Sequence, residues 1–220
     1  MASLQEFIES QARTQLNEAA EGPDFHRALT HAREYTEELN VHIPSPAACD
    51  FISSVAGCFP GRNAIVISSA SPVLSIHVAY NLGGGAVTVL EPEAETLATI
   101  KEVFAEAGLR PNTHRFLSTR RLDVLTRLAD ASYSFIYCAL QPADMGKFVE
   151  VAWPLLHEGG TMILDNLLLD GTVGDSSRRD SNTANAREAL TYIETLTDAT
   201  ISYVPLDGGL VMITKRAEAK

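Results

Sequence analysis

The chain has 220 residues, of which 45% are hydrophobic and 20% are charged, values typical of one globular domain with a full hydrophobic core. Its formal net charge of −11 argues against a nucleic-acid partner, because binding to phosphates depends on clustered Lys and Arg. No stretch approaches the ~20 continuous apolar residues of a membrane span, so we expect no membrane association.

The first residues and the cysteines predict a cytoplasmic protein. The N-terminal sequence MASLQEFIESQ lacks a basic start followed by an apolar run, so we expect no secretory signal. Cys49, Cys58 and Cys138 are scattered and odd in number. This pattern favours buried free thiols in a reducing compartment over a disulfide framework or a zinc site.

The first 60 residues have a helical pattern. Apolar residues recur at helical spacing over residues 4–20, and a Gly-Pro pair then breaks the segment. A second helix is predicted over residues 24–39. Ser45 is a good N-cap for a third helix, which would have Pro46 at its first position.

From residue 64 onward, short apolar runs alternate with amphipathic segments, a pattern typical of strands alternating with helices. The predicted strands are residues 64–67, 87–90, 114–117, 135–138 and 161–164. The predicted helices are residues 72–82, 92–107, 122–128 and 182–196, with a further helix that ends near Leu156 and is closed by Gly159-Gly160. Residues 201–206 and 210–214, joined by Asp207-Gly208-Gly209, carry the signal of a hairpin.

This order of elements predicts an α/β fold. We expect a doubly wound, mostly parallel seven-stranded sheet with helices on both faces and an antiparallel hairpin at its C-terminal end. We predict a single domain over residues 1–220, with an N-terminal helical segment at residues 1–60 and an α/β core at residues 61–220.

Several sequence blocks from residue 43 to residue 216 resemble a known family. They are residues 104–109, 122–125, 133–137, 153–156 with Gly159-Gly160, 165–173, and 205–210. In this order they resemble the S-adenosylmethionine-dependent O-methyltransferases, the family of catechol and caffeoyl-coenzyme-A O-methyltransferases, and especially its small actinobacterial members. The resemblance implies a class I methyltransferase fold, S-adenosylmethionine as cofactor, a small hydroxylated substrate, and a homodimer with the N-terminal helices in contact.

The turn after the first strand departs from the family pattern of an acidic residue followed by glycines. The acidic position, expected near the cofactor's ammonium group, is Val66, and the glycine positions are Ser68, Ala70 and Pro72. We predict that Ser68, Ser69 and Ala70 bind the cofactor, because small residues permit a turn around a ligand and serine hydroxyls can donate to a carboxylate. Pro72 has an alternative interpretation as a simple helix starter.

Glu91 ends the second strand, where the family has an acid that binds the ribose hydroxyls. A carboxylate accepts two hydroxyl donors well. The alternative is an exposed glutamate that only favours the start of the next helix, since an anion suits a helix N-terminus.

At the catalytic end, metal-dependent members hold a divalent cation with two aspartates and an asparagine, and a lysine serves as base. Asp165 and Asn166 occupy two of the ligand positions, but the third is Ala139 and the lysine position is Pro142. We therefore predict Asp165 and Asn166 as catalytic residues without a bound metal, with Gln141 as a neutral oxygen donor nearby. The alternative is that the Asp-Asn pair only caps the turn after its strand.

The leading hypothesis is a metal-independent O-methyltransferase. The alternative is a catalytically inactive relative that serves as a binding or dimer-forming module, and a nicotinamide-dependent reductase is disfavoured because no G-x-G-x-x-G follows the first strand. The polar segment 169–187 is either a mobile lid or a solvated loop before a helix that starts near Asp180 and Thr183. The histidines form no evident cluster, and His77 is interpreted as a packing residue.

Overall fold

The computed structural model describes residues 3–18, 22–68, 70–119 and 122–217. Seven strands within these ranges form one sheet. They are β1 (Ala64–Ile67), β2 (Val87–Leu90), β3 (His114–Leu117), β4 (Tyr133–Cys138), β5 (Leu156–Leu164), β6 (Ala199–Val204) and β7 (Leu210–Lys215). The order across the sheet is β3-β2-β1-β4-β5-β7-β6, and β7 runs antiparallel to both of its neighbours. This arrangement confirms the predicted doubly wound sheet with its C-terminal antiparallel hairpin.

The helices lie close to their predicted positions. In the described residues they are α1 (Leu4–Glu18), α2 (Pro23–Glu38), α3 (Pro46–Gly57), α4 (Val73–Asn81), α5 (Ala94–Glu106), α6 (Pro142–Ala152) and α7 (Ser181–Glu194). Short 3₁₀ turns cover Pro111–Thr113, Leu122–Arg127, Trp153–Leu155 and Leu169–Gly174. Ser45 caps α3 by accepting from the Ala48 N–H, and Asp180 caps α7 by accepting from the Thr183 N–H, as their sequence positions indicate. None of the described helices is both long and apolar enough to cross a membrane.

The sheet separates two hydrophobic cores. Strand residues that point to one face pack with α2, α3, α4 and α5, and residues on the other face pack with α6 and α7. Every residue of β1, β2 and β4 is buried, because a parallel strand at the centre of a sheet is covered on both faces.

One predicted boundary is wrong. Gly159 and Gly160 do not close a helix; they lie inside β5, which begins at Leu156 instead of residue 161. The pairing of β5 with β4 jumps between Leu156 and Thr161, so the intervening residues bulge out of the ladder. Gly159 takes a φ of +80° in this bulge, a conformation that glycine adopts easily in a helix C-cap and in a bulge alike.

The cysteines differ in part from expectation. Cys49 and Cys138 are buried free thiols, but Cys58 is exposed. Cys58 is the residue that follows the last turn of α3, where the chain reaches the surface before β1. His77 is 2% exposed and packs edge-on against Phe25, which confirms its interpretation as a packing residue.

Candidate active site

The carboxyl ends of β1, β4 and β5 place three residues side by side. The strand register aligns Val66 with Tyr137 and Tyr137 with Ile163. Two residues further along each strand the chain reaches Ser68, Ala139 and Asp165, which therefore lie on the same face of the sheet. Backbone hydrogen bonds extend the ladder to this level, since the Ala139 N–H donates to Ile67 O at 2.8 Å and the Asp165 N–H to Cys138 O at 2.8 Å. Ligands of doubly wound sheets bind at this edge.

A cavity of about 330 Å³ opens above this row. We call it the Asp165 cavity; its lining is Val41, His42, Pro44, Ser68, Ser71, Leu74, Tyr137, Ala139, Leu140, Gln141, Pro142, Asp165 and Asn166. The connector between α2 and α3 supplies one wall, and the loops after β1, β4 and β5 supply the others. The cavity therefore brings together three predicted site residues, Ser68, Asp165 and Asn166.

Asp165 is held from one side and open on the other. Its side chain is 1% exposed, and its Oδ2 accepts from the Tyr137 hydroxyl at 2.5 Å. Its Oδ1 is buried and has no partner of hydrogen-bonding geometry among the described residues. Burial raises the pKa of the Asp165 carboxyl and Asp207 reinforces this, whereas the Tyr137 hydrogen bond, the charge of His42 and the Asn166 N–H oppose it. A buried carboxylate oxygen without a hydrogen-bond partner is energetically costly, so Oδ1 marks a position where a ligand group can bind.

Asn166 takes part in closing the site. It adopts a φ of +51°, and its Oδ1 lies 1.9 Å from where a Cβ on Gly208 would stand. Only glycine therefore fits at position 208. The neighbouring Asp207 accepts from the Ser45 N–H at 2.8 Å, which joins the C-terminal hairpin to the start of α3.

The residues present do not form the family's metal site. The Ala139 methyl group cannot ligate a cation, and Pro142 is at the first turn of α6 with its ring nitrogen in the backbone. Gln141, at the N-cap of α6, lines the same cavity with a neutral amide. Among the described residues, no three His, Cys, Asp or Glu side chains lie close enough together to hold a metal ion.

The turn after β1 uses its hydroxyl groups internally. The Ser68 hydroxyl donates to Ser71 O at 2.5 Å. The Thr36 hydroxyl donates to Ala32 O at 2.7 Å, so the Ser71 hydroxyl is the donor in the 3.2 Å contact between Ser71 and Thr36. In this conformation both hydroxyl protons are used within the protein, so donation from Ser68 to a cofactor would first break its bond to Ser71. Ser69 lies outside the described residues, so its predicted role stays a prediction.

Glu91 lies on the far side of the same turn. It is buried, with 1% exposure, so the alternative of an exposed glutamate is wrong. Its Oε2 accepts from the Ala70 N–H at 3.1 Å and its Oε1 from the Glu93 N–H at 2.9 Å. Ala70 has a φ of +69°, which turns its N–H towards the carboxylate in the way that a glycine at this position would.

A second cavity of about 370 Å³ opens beside Glu91. We call it the Glu91 cavity; its lining is Ile67, Ala70, Leu90, Glu91, Pro92, Glu93, Thr119, Leu122, Leu140 and Asp144. Ser68 lines the Asp165 cavity, Ala70 lines the Glu91 cavity and Leu140 lines both, so the two cavities adjoin at the turn after β1. The structure thus divides the predicted site residues between two adjoining cavities.

Two residues of the site were missed from the sequence. Tyr137 lies within an apolar strand, and only its register neighbours show that its hydroxyl reaches the end of β5. His42 follows α2, far from the other site residues in sequence, and the fold brings it to the Asp165 cavity. In the sequence, each of the two is marked only as a polar side chain in an apolar or proline-rich segment.

The polar segment before α7 is anchored. Arg187 on α7 donates to Val173 O at 2.9 Å and to Arg178 O at 3.0 Å. Residues 169–174 form an irregular turn with a kink at Asp170 and Gly171, whose φ angles are +53° and +83°. No residue of the segment 169–187 lines the Asp165 cavity or the Glu91 cavity. The geometry favours the solvated loop over the mobile lid.

Comparisons with known proteins identify the family. No protein-family profile matches the chain. A crystal structure of a Corynebacterium glutamicum protein has a TM-score of 0.86 at 33% identity, covering 96% of this chain and 98% of that one. An O-methyltransferase from Streptomyces achromogenes involved in tomaymycin synthesis, solved in complex with S-adenosylmethionine, has a TM-score of 0.81 at 20% identity, covering 98% of this chain and all 100% of that one.

The curated relatives share both the length and the name of this family. A Mycolicibacterium smegmatis protein named "Putative O-methyltransferase" is 30% identical over 212 residues, which cover 96% of this chain and 98% of the relative. Similarity at this level over nearly the whole of both chains shows that the protein belongs to the O-methyltransferase family.

Proposed function

We propose that the protein transfers a methyl group from S-adenosylmethionine to a hydroxyl group of a small substrate, without a metal ion in the site. The observation that carries this proposal is the pair of adjoining cavities at the carboxyl edge of the sheet, each with a buried carboxylate, Asp165 in one and Glu91 in the other. The S-adenosylmethionine bound to the Streptomyces relative, which shares the fold, supports the same cofactor here.

We propose one orientation for the cofactor across the two cavities. Glu91, fixed by the N–H groups of Ala70 and Glu93, would accept hydrogen bonds from the ribose hydroxyls. The turn at residues 68–72 separates that position from the Asp165 cavity, so the methionyl end would pass the turn and reach Ser68. Ser68, Ser69 and Ala70 are thus proposed as the cofactor-binding turn.

The chemistry asks little of the protein beyond positioning. The cofactor supplies a methyl group on a sulfonium, a good leaving group, so the substrate oxygen needs mainly to be held in line with it. We propose Asp165 and Asn166 as the catalytic pair, in contact with the bound cofactor or substrate in the Asp165 cavity. His42, the basic side chain among the described lining residues, is placed to accept the hydroxyl proton. Leu140 and Pro44 exclude water from the same space.

We expect metal independence because of the side chains that could serve as metal ligands. Asp165 is one carboxylate, and with Ala139 and Pro142 beside it the cavity lacks the second negative oxygen ligand that Mg²⁺ prefers. We therefore expect Mg²⁺ to leave both cofactor binding and turnover unchanged.

The remaining predictions concern the whole protein. We propose that residues 1–220 act as a single cytoplasmic domain and that the protein is a homodimer in which α1 contributes to the contact. In α1, Leu4 is 75% exposed and Phe7 is 57% exposed, so an apolar strip faces outward.

Calorimetric titration with S-adenosylmethionine and S-adenosylhomocysteine, with and without Mg²⁺, tests the proposal. We expect micromolar affinity that ignores Mg²⁺, and a loss of about tenfold or more in Glu91→Gln, whose amide cannot accept both N–H groups and both ribose hydroxyls. Glu95→Gln, an exposed glutamate in the first turn of α5, is the matched control and should bind as wild type does.

Absence of binding would support the alternative hypothesis of a catalytically inactive relative. Wild-type protein that binds neither compound at millimolar concentration is not a methyltransferase, and the fold would then serve as a binding or dimer-forming module. If it binds them, release of S-adenosylhomocysteine across a panel of small phenols and alcohols identifies the substrate.

A further inference from the structure

The Asp165 cavity contains a buried carboxylate and three hydroxyl groups whose protons are already used within the protein. Ser68 donates to Ser71 O, Ser71 donates to the Thr36 hydroxyl, and Tyr137 donates to Asp165, so none of these protons is left for a ligand. His42 is the side chain of the lining whose charge opposes that of Asp165. No Lys or Arg is found among the described residues of the lining. Asp207 adds a second negative charge close to Asp165. The cavity is therefore complementary to a ligand group that is positively charged and donates hydrogen bonds.

Tyr137 fixes the direction in which the carboxylate can act. Its hydroxyl holds Oδ2 at 2.5 Å and leaves Oδ1 as the unpartnered, buried oxygen. Tyr137 pairs directly with Val66 in the strand register, and both lie on the face of the sheet that carries Ser68. Ala139, on the strand between those that lead to Ser68 and Asp165, contributes only a methyl group to the lining of the cavity.

The methyl donor itself carries a group that matches. Its methionyl end bears a primary ammonium and a carboxylate, and the ammonium offers three N–H donors with a positive charge. With the ribose at Glu91, that end lies on the Asp165 side of the turn. A carboxylate placed beside Oδ1 would be repelled, whereas an ammonium would gain a charge-assisted hydrogen bond in a buried setting.

We propose that Asp165, oriented by Tyr137, is the acceptor for the α-ammonium group of the cofactor's methionyl end. This inference rests on the proposed function and assigns Asp165 its partner within that site. It also means that the negative charge missing at Val66 is supplied from β5, two strands away across the sheet.

The test compares two ligands that differ only in the ammonium group. They are S-adenosylhomocysteine and its deaminated analogue, which keeps the adenosine, the thioether and the carboxylate. Calorimetry on the wild-type protein should show that loss of the ammonium weakens binding between about tenfold and a hundredfold, the usual effect of a hydrogen bond to a charged group. This comparison needs no variant, so it stands even if a substitution at Asp165 unfolds the protein.

The variants assign the effect to Asp165. In Asp165→Asn the two ligands should bind within about threefold of each other, and in Tyr137→Phe the discrimination should be reduced because Oδ2 is no longer held. Asp130→Asn, which removes the same charge from an exposed loop, should discriminate as wild type does.

The outcomes separate this inference from the proposed function. Equal binding of the two ligands by the wild-type protein overturns the inference while leaving the methyltransferase proposal intact. Full discrimination retained by Asp165→Asn also overturns it, because the ammonium would then bind elsewhere. Failure of the wild-type protein to bind S-adenosylhomocysteine overturns both.

Discussion

At the scale of single residues, the turn after β1 shows how a residue other than glycine can hold a positive φ. Ala70 takes the positive φ for which the family pattern has glycine, and its N–H is fixed by Glu91. A non-glycine residue in this conformation costs on the order of 1 kcal/mol, which the bond to a buried carboxylate offsets. The bond to Glu91 therefore lets Ala70 hold the positive φ at a position where the family pattern has glycine.

His77 makes stability depend on pH. Burial, with a smaller effect from the positive charge of Arg33, lowers the pKa of this histidine from 6.5 to about 3. Above pH 6.5 the imidazole is neutral in the folded and the unfolded chain. Below it the unfolded chain binds a proton that the folded chain does not bind until about pH 3, so the free energy of unfolding falls as the pH drops through this window.

Urea denaturation between pH 4 and pH 7 measures this effect. His77→Phe keeps the ring contact with Phe25 and removes the titrating group, so the fall in unfolding free energy with decreasing pH should be smaller by up to about 1.4 kcal/mol per pH unit. His26→Gln, on the exposed side of α2, should keep the wild-type slope. Identical slopes for His77→Phe and wild type would contradict the account.

At the scale of elements, the apolar runs predicted the strands well and the glycines misled once. Parallel strands buried on both faces are largely apolar, and this made the bounds of β1 and β2 predictable to the residue. The bounds of β3 were also predicted, although this edge strand contains no fully buried residue. Gly159 has the left-handed conformation of a helix C-cap, so the sequence alone could not tell a C-cap from a bulge. The pairing partner decides between them, and pairing is a tertiary property.

The site residues also differ in whether local sequence or tertiary structure determines their position. Glu91, Asp165 and Asn166 follow buried strands directly, so their place at the carboxyl edge could be predicted. Tyr137 and His42 depend on which strands are neighbours and on how a connector crosses the sheet edge. No local pattern carries that information.

The bulge in β5 should tolerate no side chain at its second glycine. A Cβ on Gly160 would stand 2.9 Å from His157 O and 3.2 Å from Ser134 O, both rigid backbone atoms. We expect Gly160→Ala to lower the unfolding free energy by roughly 1–3 kcal/mol in denaturant titration.

Gly146→Ala is the matched control within α6. Its nearest neighbour would be Ala189 Cα at 3.8 Å, an ordinary contact, so alanine should stabilise the helix by up to about 1 kcal/mol. Equal effects of the two substitutions would show that the bulge can relax and that its geometry is not constrained as described.

At the scale of the whole molecule, α1 presents an apolar surface to the outside. The helix starts with a capping box, in which the Ser3 N–H donates to Glu6 and the Glu6 N–H to the Ser3 hydroxyl. Its other side packs on α3. The exposed strip of Leu4, Phe7 and Ile8 supplies apolar area for the proposed homodimer contact.

Analytical ultracentrifugation tests that assembly. The wild-type protein should sediment as a dimer, and the double substitution Phe7→Ser with Ile8→Ser should shift it towards monomer because it removes apolar area from the contact. Gln5→Ser, exposed on the same helix, should leave the dimer intact. A monomeric wild-type protein would refute the predicted homodimer.

The bond between Ser45 and Asp207 also bears on synthesis of the protein. It joins residues 162 positions apart and ties the connector that forms one wall of the Asp165 cavity to the last hairpin. A chain emerging from the ribosome must therefore expose its final hairpin before that wall is fixed. We expect a ribosome-bound chain that stops short of residue 207 to bury much of its sheet yet fail to retain S-adenosylhomocysteine, because one wall of the Asp165 cavity is not yet fixed.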